Sequence, residues 1–229
     1  MVYFQMVKSE DFINSPYNSR QDTFADRVVR GKIMSADGKV LAETVVDAAG
    51  NETRKYPYGN MYAHVVGFST NGKSGIESNM NFNLLRSHSF VLERMFNEIK
   101  DEKSMGDNVV TTLDSTLQET AYQALGNYDG AVVVMEPSTG KVLAMVSKPD
   151  FDPNTIAADW DSIISEDNNN SVLLNRATQG LYPPGSTFKI ITTLEYIREN
   201  PDYENYSYSC NGSITENDFT IHCYNNAVH

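Results

Sequence analysis

The chain has 229 residues, of which 40% are hydrophobic and 10% aromatic, enough to bury the core of one large domain or two modest ones. Its 18 Lys and Arg residues stand against 30 Asp and Glu residues, so the formal net charge is -12. This charge repels polyphosphates, and no basic run compensates for it, so nucleic acid is excluded as a partner. The sequence has no apolar run of the roughly 18 to 20 residues that cross a bilayer.

The first hundred residues predict short strands and loops. Residues 1–7 are apolar and aromatic, and two interpretations stay open for them: a first strand or the outer end of a membrane anchor. Residues 30–42 carry two short strand patterns around an Asp-Gly turn signal, which predicts a β-hairpin. The apolar spacing in residues 83–100 predicts that part of this stretch is helical.

A charged stretch at residues 101–107 marks the predicted domain boundary. We therefore predict two domains, residues 1–105 and residues 106–229. The first is β-rich and elongated, and the second begins an α/β domain in which helices pack on an antiparallel sheet, so the fold class is α+β.

The second domain opens with a predicted helix and a predicted hairpin. The helix is capped by Asp114 or Ser115 and ends near Gly126. The apolar, β-rich runs at residues 131–135 and 142–147 flank a short polar turn, so they predict two paired strands, both buried.

Two further segments complete the predicted elements. Residues 149–170 are rich in Pro, Asp and Asn, which is typical of a surface loop with at most a short helix at residues 159–164. A Pro-Pro-Gly sequence then precedes residues 186–200, where apolar residues recur at helical spacing. We expect this last helix to be substantially buried.

The start of that helix carries the candidate chemistry. Ser186 and Lys189 form an S-x-x-K tetrad, and a spacing of three residues places both side chains on nearly the same helix face. A serine hydroxyl becomes nucleophilic when a neighbour accepts its proton, and the positive helix N-terminus favours the developing alkoxide. The same tetrad also occurs by chance: a second copy, Ser138 to Lys141, falls in the predicted hairpin turn, so we interpret that copy as structural.

Two cysteines, Cys210 and Cys223, flank a turn-like Asn-Gly pair, and a hairpin would bring them together. Two interpretations stay open: a disulfide, or two small buried residues. A metal site using these cysteines with His222 and His229 lacks the paired spacing of zinc ligands. We expect neither a metal nor a cofactor.

Residues 175–189, which read NRATQGLYPPGSTFK, resemble the nucleophile segment of the penicillin-binding proteins, particularly the class B transpeptidases. Other segments resemble the opening of the same catalytic domain, namely residues 112–118, 137–145 and 149–154. A third set resembles the family's non-catalytic pedestal, a dimerisation-type domain: residues 30–42, 62–67 and 72–77.

The resemblance implies a pedestal followed by a penicillin-binding, serine β-lactamase-like transpeptidase domain. It implies a D,D-transpeptidase that cross-links peptidoglycan, with Ser186 acylated by a D-alanyl-D-alanine donor and Lys189 as its general base. β-Lactams would trap the same serine. The implied partners are peptidoglycan stem peptides and cell-wall synthesis proteins, and the implied location is the outer face of the cell membrane, through an anchor that this chain does not contain.

The sequence also departs from the family pattern. The family needs an S-x-N loop and a K-[ST]-G strand after the nucleophile helix, and neither follows Lys189. Formal matches at residues 69–71 and 73–75 lie upstream, and we interpret them as turn chemistry. We therefore expect a truncated chain that is not competent alone. Two alternatives stay open: a non-enzymatic cell-wall scaffold, and a β-lactam sensor or serine β-lactamase, which does not explain the pedestal-like first half.

Overall fold

The computed structural model describes residues 27–87, 103–165 and 171–228. The chain divides into two compact units between Leu181 and Tyr182. This division differs from the predicted domain boundary between residues 105 and 106, which stays a prediction. The predicted first strand or anchor remnant at residues 1–7 lies outside the described residues. So does most of the helix expected in residues 83–100.

The first unit alternates short strands with short helices. In chain order its elements are β1 (Val28–Val29), β2 (Ile33–Met34), β3 (Val40–Val46), β4 (Glu52–Lys55), a 3-10 turn (Gly59–Tyr62), α1 (Ala63–Val66), α2 (Gly75–Asn79), α3 (Asn81–Leu84), β5 (Ser104–Met105), β6 (Val109–Val110), α4 (Ser115–Leu125), β7 (Gly130–Glu136), β8 (Lys141–Lys148) and α5 (Ile156–Ile163).

A four-stranded sheet with the order β4-β3-β2-β6 forms the centre of the pedestal region. β2 and β3 are antiparallel and are joined at Gly38, whose φ of 82° suits the tight turn, so the predicted hairpin is confirmed. β6 adds to β2 in parallel. The sheet and the helices beside it enclose one apolar core, whose buried members are Ile33, Leu41, Ala42, Tyr56, Tyr62, Val66, Leu84 and Leu113.

A buried ionic cluster links three segments of the pedestal. The fully buried carboxylate of Glu77 on α2 accepts from Arg30 Nε at 2.6 Å and from Arg54 Nε at 2.7 Å. Arg30 also donates to Asn81 Oδ1 at 2.5 Å. Burial lowers the pKa of Arg30, and the charge of Glu77 opposes that shift. The cluster therefore holds α2 against β4, which carries Arg54, and against the connection between β1 and β2, which carries Arg30.

Helix α4 begins and ends where the sequence predicts. Asp114 caps it by accepting from the backbone N–H three residues on, at 2.9 Å, and the helix stops at Gly126. The fully buried Gln118 donates to the carbonyl oxygens of Met61 and Met145 and accepts from the N–H of Met145, each at 2.8 Å. This one amide joins α4 to β8 and to the pedestal.

The turn of the pedestal hairpin also contacts the start of α4. Asp37 accepts from Ser115 Oγ at 2.5 Å and from the Ser115 N–H at 3.2 Å. The hydrogen bond from the Ser115 hydroxyl, with a second from Ser35, holds the pKa of Asp37 down to about 2. A carboxylate at this position complements the positive N-terminus of the helix.

The predicted hairpin at residues 131–147 is confirmed, but the prediction that both of its strands are buried is wrong. β7 and β8 are antiparallel, and β8 contributes the buried Ala144 and Val146 to a small core with α4. On β7, Val133 and Met135 are 43% and 53% exposed. Within the described residues the sheet has only these two strands, so α4 covers one face and leaves the other open.

The predicted loop after β8 contains the expected short helix, with different bounds. α5 begins at Ile156, three residues before the predicted start. The reason is packing, because Ile156 is buried against Phe151 and Phe68, and Trp160 on the same helix also contacts this cluster. The apolar packing of Ile156 thus explains why the helix begins three residues earlier than predicted.

The second unit is smaller. Its elements are a 3-10 turn (Gly185–Phe188), α6 (Lys189–Glu199), a 3-10 turn (Tyr203–Asn205), β9 (Ser213–Glu216), β10 (Phe219–His222) and a 3-10 turn (Tyr224–Asn226). β9 and β10 form an antiparallel hairpin. No helix within the described residues is long and apolar enough to span a membrane.

The helix predicted at residues 186–200 is present as α6, but it begins at Lys189, after the 3-10 turn that contains Ser186. The expectation that this helix is buried is wrong. Ile190 and Leu194 are 65% and 60% exposed, and Phe188, Ile191 and Ile197 are also exposed. Among its described residues the second unit has one longer helix and one two-stranded hairpin. These elements supply too little apolar surface to cover the helix.

Candidate active site

The first residues of the predicted nucleophile segment belong to the first unit and form hydrogen bonds with its other elements. Asn175 Nδ2 donates to the carbonyl oxygen of His64 on α1 at 3.2 Å. Ser147 on β8 accepts from the Arg176 N–H at 2.9 Å and donates to the carbonyl oxygen of Leu174 at 3.3 Å. Residues 174–176 are therefore held by both α1 and β8.

Ser186 lies in the second unit, in the 3-10 turn that precedes α6. Gly185 enters this turn with a φ of 53°, a left-handed conformation that favours glycine. Thr187 closes the turn by donating its hydroxyl to the carbonyl oxygen of Pro184. The N–H of Lys189 donates to the carbonyl oxygen of Ser186, so the turn continues directly into α6.

This conformation places Ser186 and Lys189 on one face. Side chains at positions i and i+3 of a 3-10 turn eclipse each other, which is a closer alignment than the α-helical spacing assumed from the sequence. Both side chains are exposed. No hydrogen bond joins Ser186 Oγ to Lys189 Nζ in this described segment. The two groups thus share a face without the direct contact expected from the sequence, and their catalytic roles stay a prediction.

The second S-x-x-K copy has none of these features. Ser138 and Lys141 lie at the turn between β7 and β8, where Gly140 has a φ of 74° and its N–H donates to the carbonyl oxygen of Glu136 at 2.8 Å. Both side chains are exposed, and no helix aligns them. The interpretation of this copy as a turn is confirmed.

The upstream matches to S-x-N and K-[ST]-G also lie in a turn. Asn71 and Lys73 have φ values of 49° and 59°, and Gly72 between them has a φ of 101°. The N–H of Lys73 donates to the carbonyl oxygen of Thr70 at 3.0 Å. This left-handed run explains the residue types by backbone geometry, as predicted.

The two cysteines are brought together by the hairpin of the second unit. Cys210 Sγ and Cys223 Sγ are 3.2 Å apart, and both are thiols. The hydrogen bond with Cys210 raises the pKa of Cys223, while the charge of Lys189 acts in the opposite direction. Within the described residues no set of three or more His, Cys, Asp or Glu side chains is placed to hold a metal ion. His229 lies outside them.

The first unit contains a cavity of about 380 Å³ that no pattern in the sequence indicates. Its lining joins α1 and α2 to β8 and to the segment after α5, and includes His64, Ser74, Met145, Phe151, Asn175 and Gln179. His64 Nε2 donates to the carbonyl oxygen of Pro149 at 3.0 Å, and its ring meets Phe151 edge to face. Burial lowers the pKa of His64. A lone histidine in a sequence carries no signal of such contacts.

Two family models match the chain in succession. The penicillin binding protein A dimerisation domain matches residues 30–109, and the penicillin binding protein transpeptidase domain matches residues 130–228. The chain therefore belongs to the penicillin-binding proteins, with a dimerisation-type region followed by part of a transpeptidase domain. This confirms the family and the fold class expected from the sequence.

Individual relatives agree with the family match. The peptidoglycan D,D-transpeptidase PbpA of Mycolicibacterium smegmatis is 40% identical over 187 residues, which cover 72% of this chain and 36% of that protein. The peptidoglycan D,D-transpeptidase MrdA of Acinetobacter baumannii is 34% identical over 173 residues, which cover 60% of this chain and 25% of that protein. The chain thus spans about a third or less of the length of these curated relatives.

Solved structures share the fold. The D,D-transpeptidase domain of a peptidoglycan glycosyltransferase from Eggerthella lenta aligns with a TM-score of 0.74 and 35% identity, covering 89% of this chain and 45% of that one. Penicillin-binding protein A from M. tuberculosis, solved as an imipenem acyl-enzyme complex, aligns with a TM-score of 0.73 and 31% identity, covering 90% of this chain and 50% of that one.

Proposed function

We propose that this chain is part of a peptidoglycan D,D-transpeptidase in which Ser186 is the nucleophile and Lys189 its general base. The observation that carries the proposal is the 3-10 turn at the start of α6, which presents the serine and the lysine on the same face. The turn lies inside the part of the chain that matches the transpeptidase family model. The relatives named as D,D-transpeptidases, and the acyl-enzyme complex of one neighbour, support the same reaction class.

The proposed reaction is acyl transfer through serine. Ser186 Oγ attacks the carbonyl carbon between the two terminal D-alanines, and Lys189 Nζ takes the hydroxyl proton. The peptide C–N bond breaks, and the proton passes to the nitrogen of the departing D-alanine. An amine from a second stem peptide then attacks the acyl-serine ester, which releases Ser186 and forms the cross-link. The positive N-terminus of α6 favours the anionic intermediates.

A β-lactam would enter the same first step. Opening of its strained amide ring forms an ester with Ser186, and the leaving nitrogen stays attached to the acyl group, so no fragment departs. We further propose that the complete protein acts on the outer face of the cell membrane, held by an anchor and assisted by other cell-wall synthesis proteins. These proposals come from the family resemblance.

Intact-mass spectrometry after incubation with penicillin G tests the nucleophile. We would compare the 229-residue chain with a longer version that includes any residues encoded beyond position 229. We expect one penicilloyl adduct on the longer protein, lost in Ser186→Ala and kept in Ser138→Ala, the matched variant of the other S-x-x-K copy. An adduct that survives Ser186→Ala, or a folded longer protein that gains none, would contradict the assignment.

Lysine variants test the proposed base in the same assay. Lys189→Ala should slow acylation by roughly 100-fold or more, the usual contribution of a general base. Lys141→Ala should leave the rate unchanged, because Lys141 lies in the exposed hairpin turn. Equal rates in the two lysine variants would remove Lys189 from the mechanism while leaving Ser186 in it.

A non-enzymatic scaffold is the second candidate. The exposure of Ser186 and Lys189, and the lack of a hydrogen bond between them in this described segment, favour it for the chain of 229 residues. The same mass measurement separates the candidates. A scaffold gains no adduct in either length of chain, whereas the enzyme gains one at Ser186 at least in the longer version.

A further inference from the structure

The hairpin of the second unit ends in two neighbouring thiols. β9 and β10 pair from Phe219 opposite Glu216 to His222 opposite Ser213. The ladder continues one step further, because the Cys223 N–H donates to the carbonyl oxygen of Gly212 at 2.9 Å. Backbone pairing, rather than chance proximity of two loops, therefore carries Cys223 toward Cys210, to an Sγ to Sγ distance of 3.2 Å.

Gly212 makes this approach possible. Its φ is 89°, and a Cβ at this position would lie 2.7 Å from the carbonyl oxygen of Asn226. Its N–H donates to Cys210 Sγ at 3.3 Å, which fixes the position of that sulfur. Cys210 is buried, whereas Cys223 is partly exposed. The site thus has one accessible thiol in contact with one protected thiol.

We propose that Cys210 and Cys223 form a thiol–disulfide modification site, in which a disulfide-carrying oxidant converts the pair into an intramolecular bridge that closes the hairpin. The proposal rests on the hairpin geometry and does not depend on a catalytic role for Ser186. It selects the disulfide from the two interpretations that the sequence leaves open for these cysteines.

The reaction proceeds by two exchanges. The partly exposed Cys223 loses its proton to solvent, and its thiolate attacks one sulfur of the oxidant, which breaks the oxidant's S–S bond and releases one small thiolate. The Cys210 thiolate then attacks the mixed disulfide and releases the second small thiolate. Two protein thiols are oxidised, one small-molecule disulfide is reduced, and the two protons end on the two small thiols.

Two neighbouring groups, the Cys210 thiol and the Lys189 ammonium, influence the first exchange. The hydrogen bond with Cys210 raises the pKa of Cys223, so the first exchange should accelerate as the pH increases toward the alkaline range. The charge of Lys189 opposes this shift, and its removal in Lys189→Ala should slow the first exchange further. Closure of the bridge requires the two sulfurs to approach by only about 1.2 Å, from 3.2 Å to a bond length of about 2.05 Å.

Oxidised glutathione is the probe, used on the full 229-residue chain, with non-reducing mass spectrometry and peptide mapping. We expect the main product to have lost two hydrogen atoms, and to yield a peptide that links Cys210 to Cys223. The bridged form should exceed the glutathione adduct by at least about tenfold in the native chain, and this ratio should fall by about tenfold in guanidinium. A persistent adduct, unreacted thiols in the native chain, or the same ratio in native and denatured chains would overturn the proposal.

A pair of glycine variants tests whether the backbone conformation at Gly212 positions the two thiols. Gly212→Ala places a Cβ against Asn226, whereas Gly140→Ala introduces the same side chain at a similar positive φ with no atom within 4 Å. Bridging should become slower in Gly212→Ala and stay unchanged in Gly140→Ala. Equal slowing in both variants would show that the close approach at Gly212 is irrelevant. If Gly212→Ala does not fold, the oxidation of the wild-type chain with glutathione disulfide still tests the proposal.

Discussion

The two units of the chain differ in which side chains they bury. In the first unit, Glu77 and Gln118 are fully buried, and each has hydrogen-bond partners for its charged or amide group. In the second unit, Ile190 and Leu194 lie on a helix that carries the candidate nucleophile, yet both are largely exposed. An apolar side chain stabilises the folded state in proportion to the apolar surface that folding removes from water. The comparison therefore predicts that the stability of this chain resides in the first unit, while the second unit carries the proposed chemistry.

The largest effect should come from breaking the buried ionic cluster. Glu77→Ala removes the carboxylate that both Arg30 and Arg54 contact, which leaves two mostly buried guanidinium groups without their counter-charge. Removing one partner of a buried ion pair typically lowers the free energy of unfolding by about 3 to 5 kcal/mol. Urea denaturation of the wild-type chain and the variant, followed by circular dichroism, measures the difference.

Glu43→Ala is the matched control for that measurement. Glu43 accepts from Lys32 at 2.7 Å, but the two side chains are 31% and 38% exposed. An exposed ion pair contributes about 1 kcal/mol or less, so this variant should unfold close to the wild type. Equal losses in both variants would mean that burial does not distinguish the two carboxylates.

A smaller effect should appear as pH dependence at His64. Burial lowers the pKa of this side chain, so its folded pKa lies below the unfolded value of about 6.5. The unfolded chain then binds the proton first as the pH falls. The neutral imidazole thus contributes stability that is present above about pH 6.5 and is lost as the pH falls toward the folded pKa.

Thermal unfolding at two pH values measures this contribution. Between about pH 7.5 and pH 5.5, the Tm of the wild type should fall by a few degrees more than the Tm of His64→Gln. His222→Gln serves as the control because His222 is on an exposed strand, and it should follow the wild type. If His64→Gln loses as much as the wild type, protonation of His64 does not contribute to acid sensitivity.

Local signals in the sequence were sufficient for several elements of the first unit. The Asp-Gly pair predicted the turn at Gly38, and Asp114 and Gly126 predicted both ends of α4. Each of these features depends on residues close together in the chain. The cluster of Arg30 with Glu77 could not be predicted in this way, because 47 positions separate the partners and no local pattern relates them.

The candidate site shows the same limit. The tetrad and its helix were predictable, since the Gly185 turn and the apolar repeat after Ser186 are local. The exposure of α6 was not, because apolar periodicity indicates which face of a helix is apolar and gives no information about what covers it. The expected hairpin between Cys210 and Cys223 is present, but its turn lies at Asn217 and Asp218 and not at the Asn-Gly pair that served as the signal. The Gly of that pair, Gly212, instead precedes β9, where its backbone closely approaches Asn226.

The smallest effect should come from an apolar residue of α6, and it provides the sharpest test of the comparison. Leu194→Ala removes a side chain that is 60% exposed, and alanine favours helix, so the free energy of unfolding should change by about 0.5 kcal/mol or less. Leu84→Ala, the same substitution at a fully buried position, should lower it by about 2 to 5 kcal/mol. Urea denaturation of both variants measures the contrast. A large loss in Leu194→Ala would mean that the helix face is covered in solution, and the second unit would then contribute to stability as the first does.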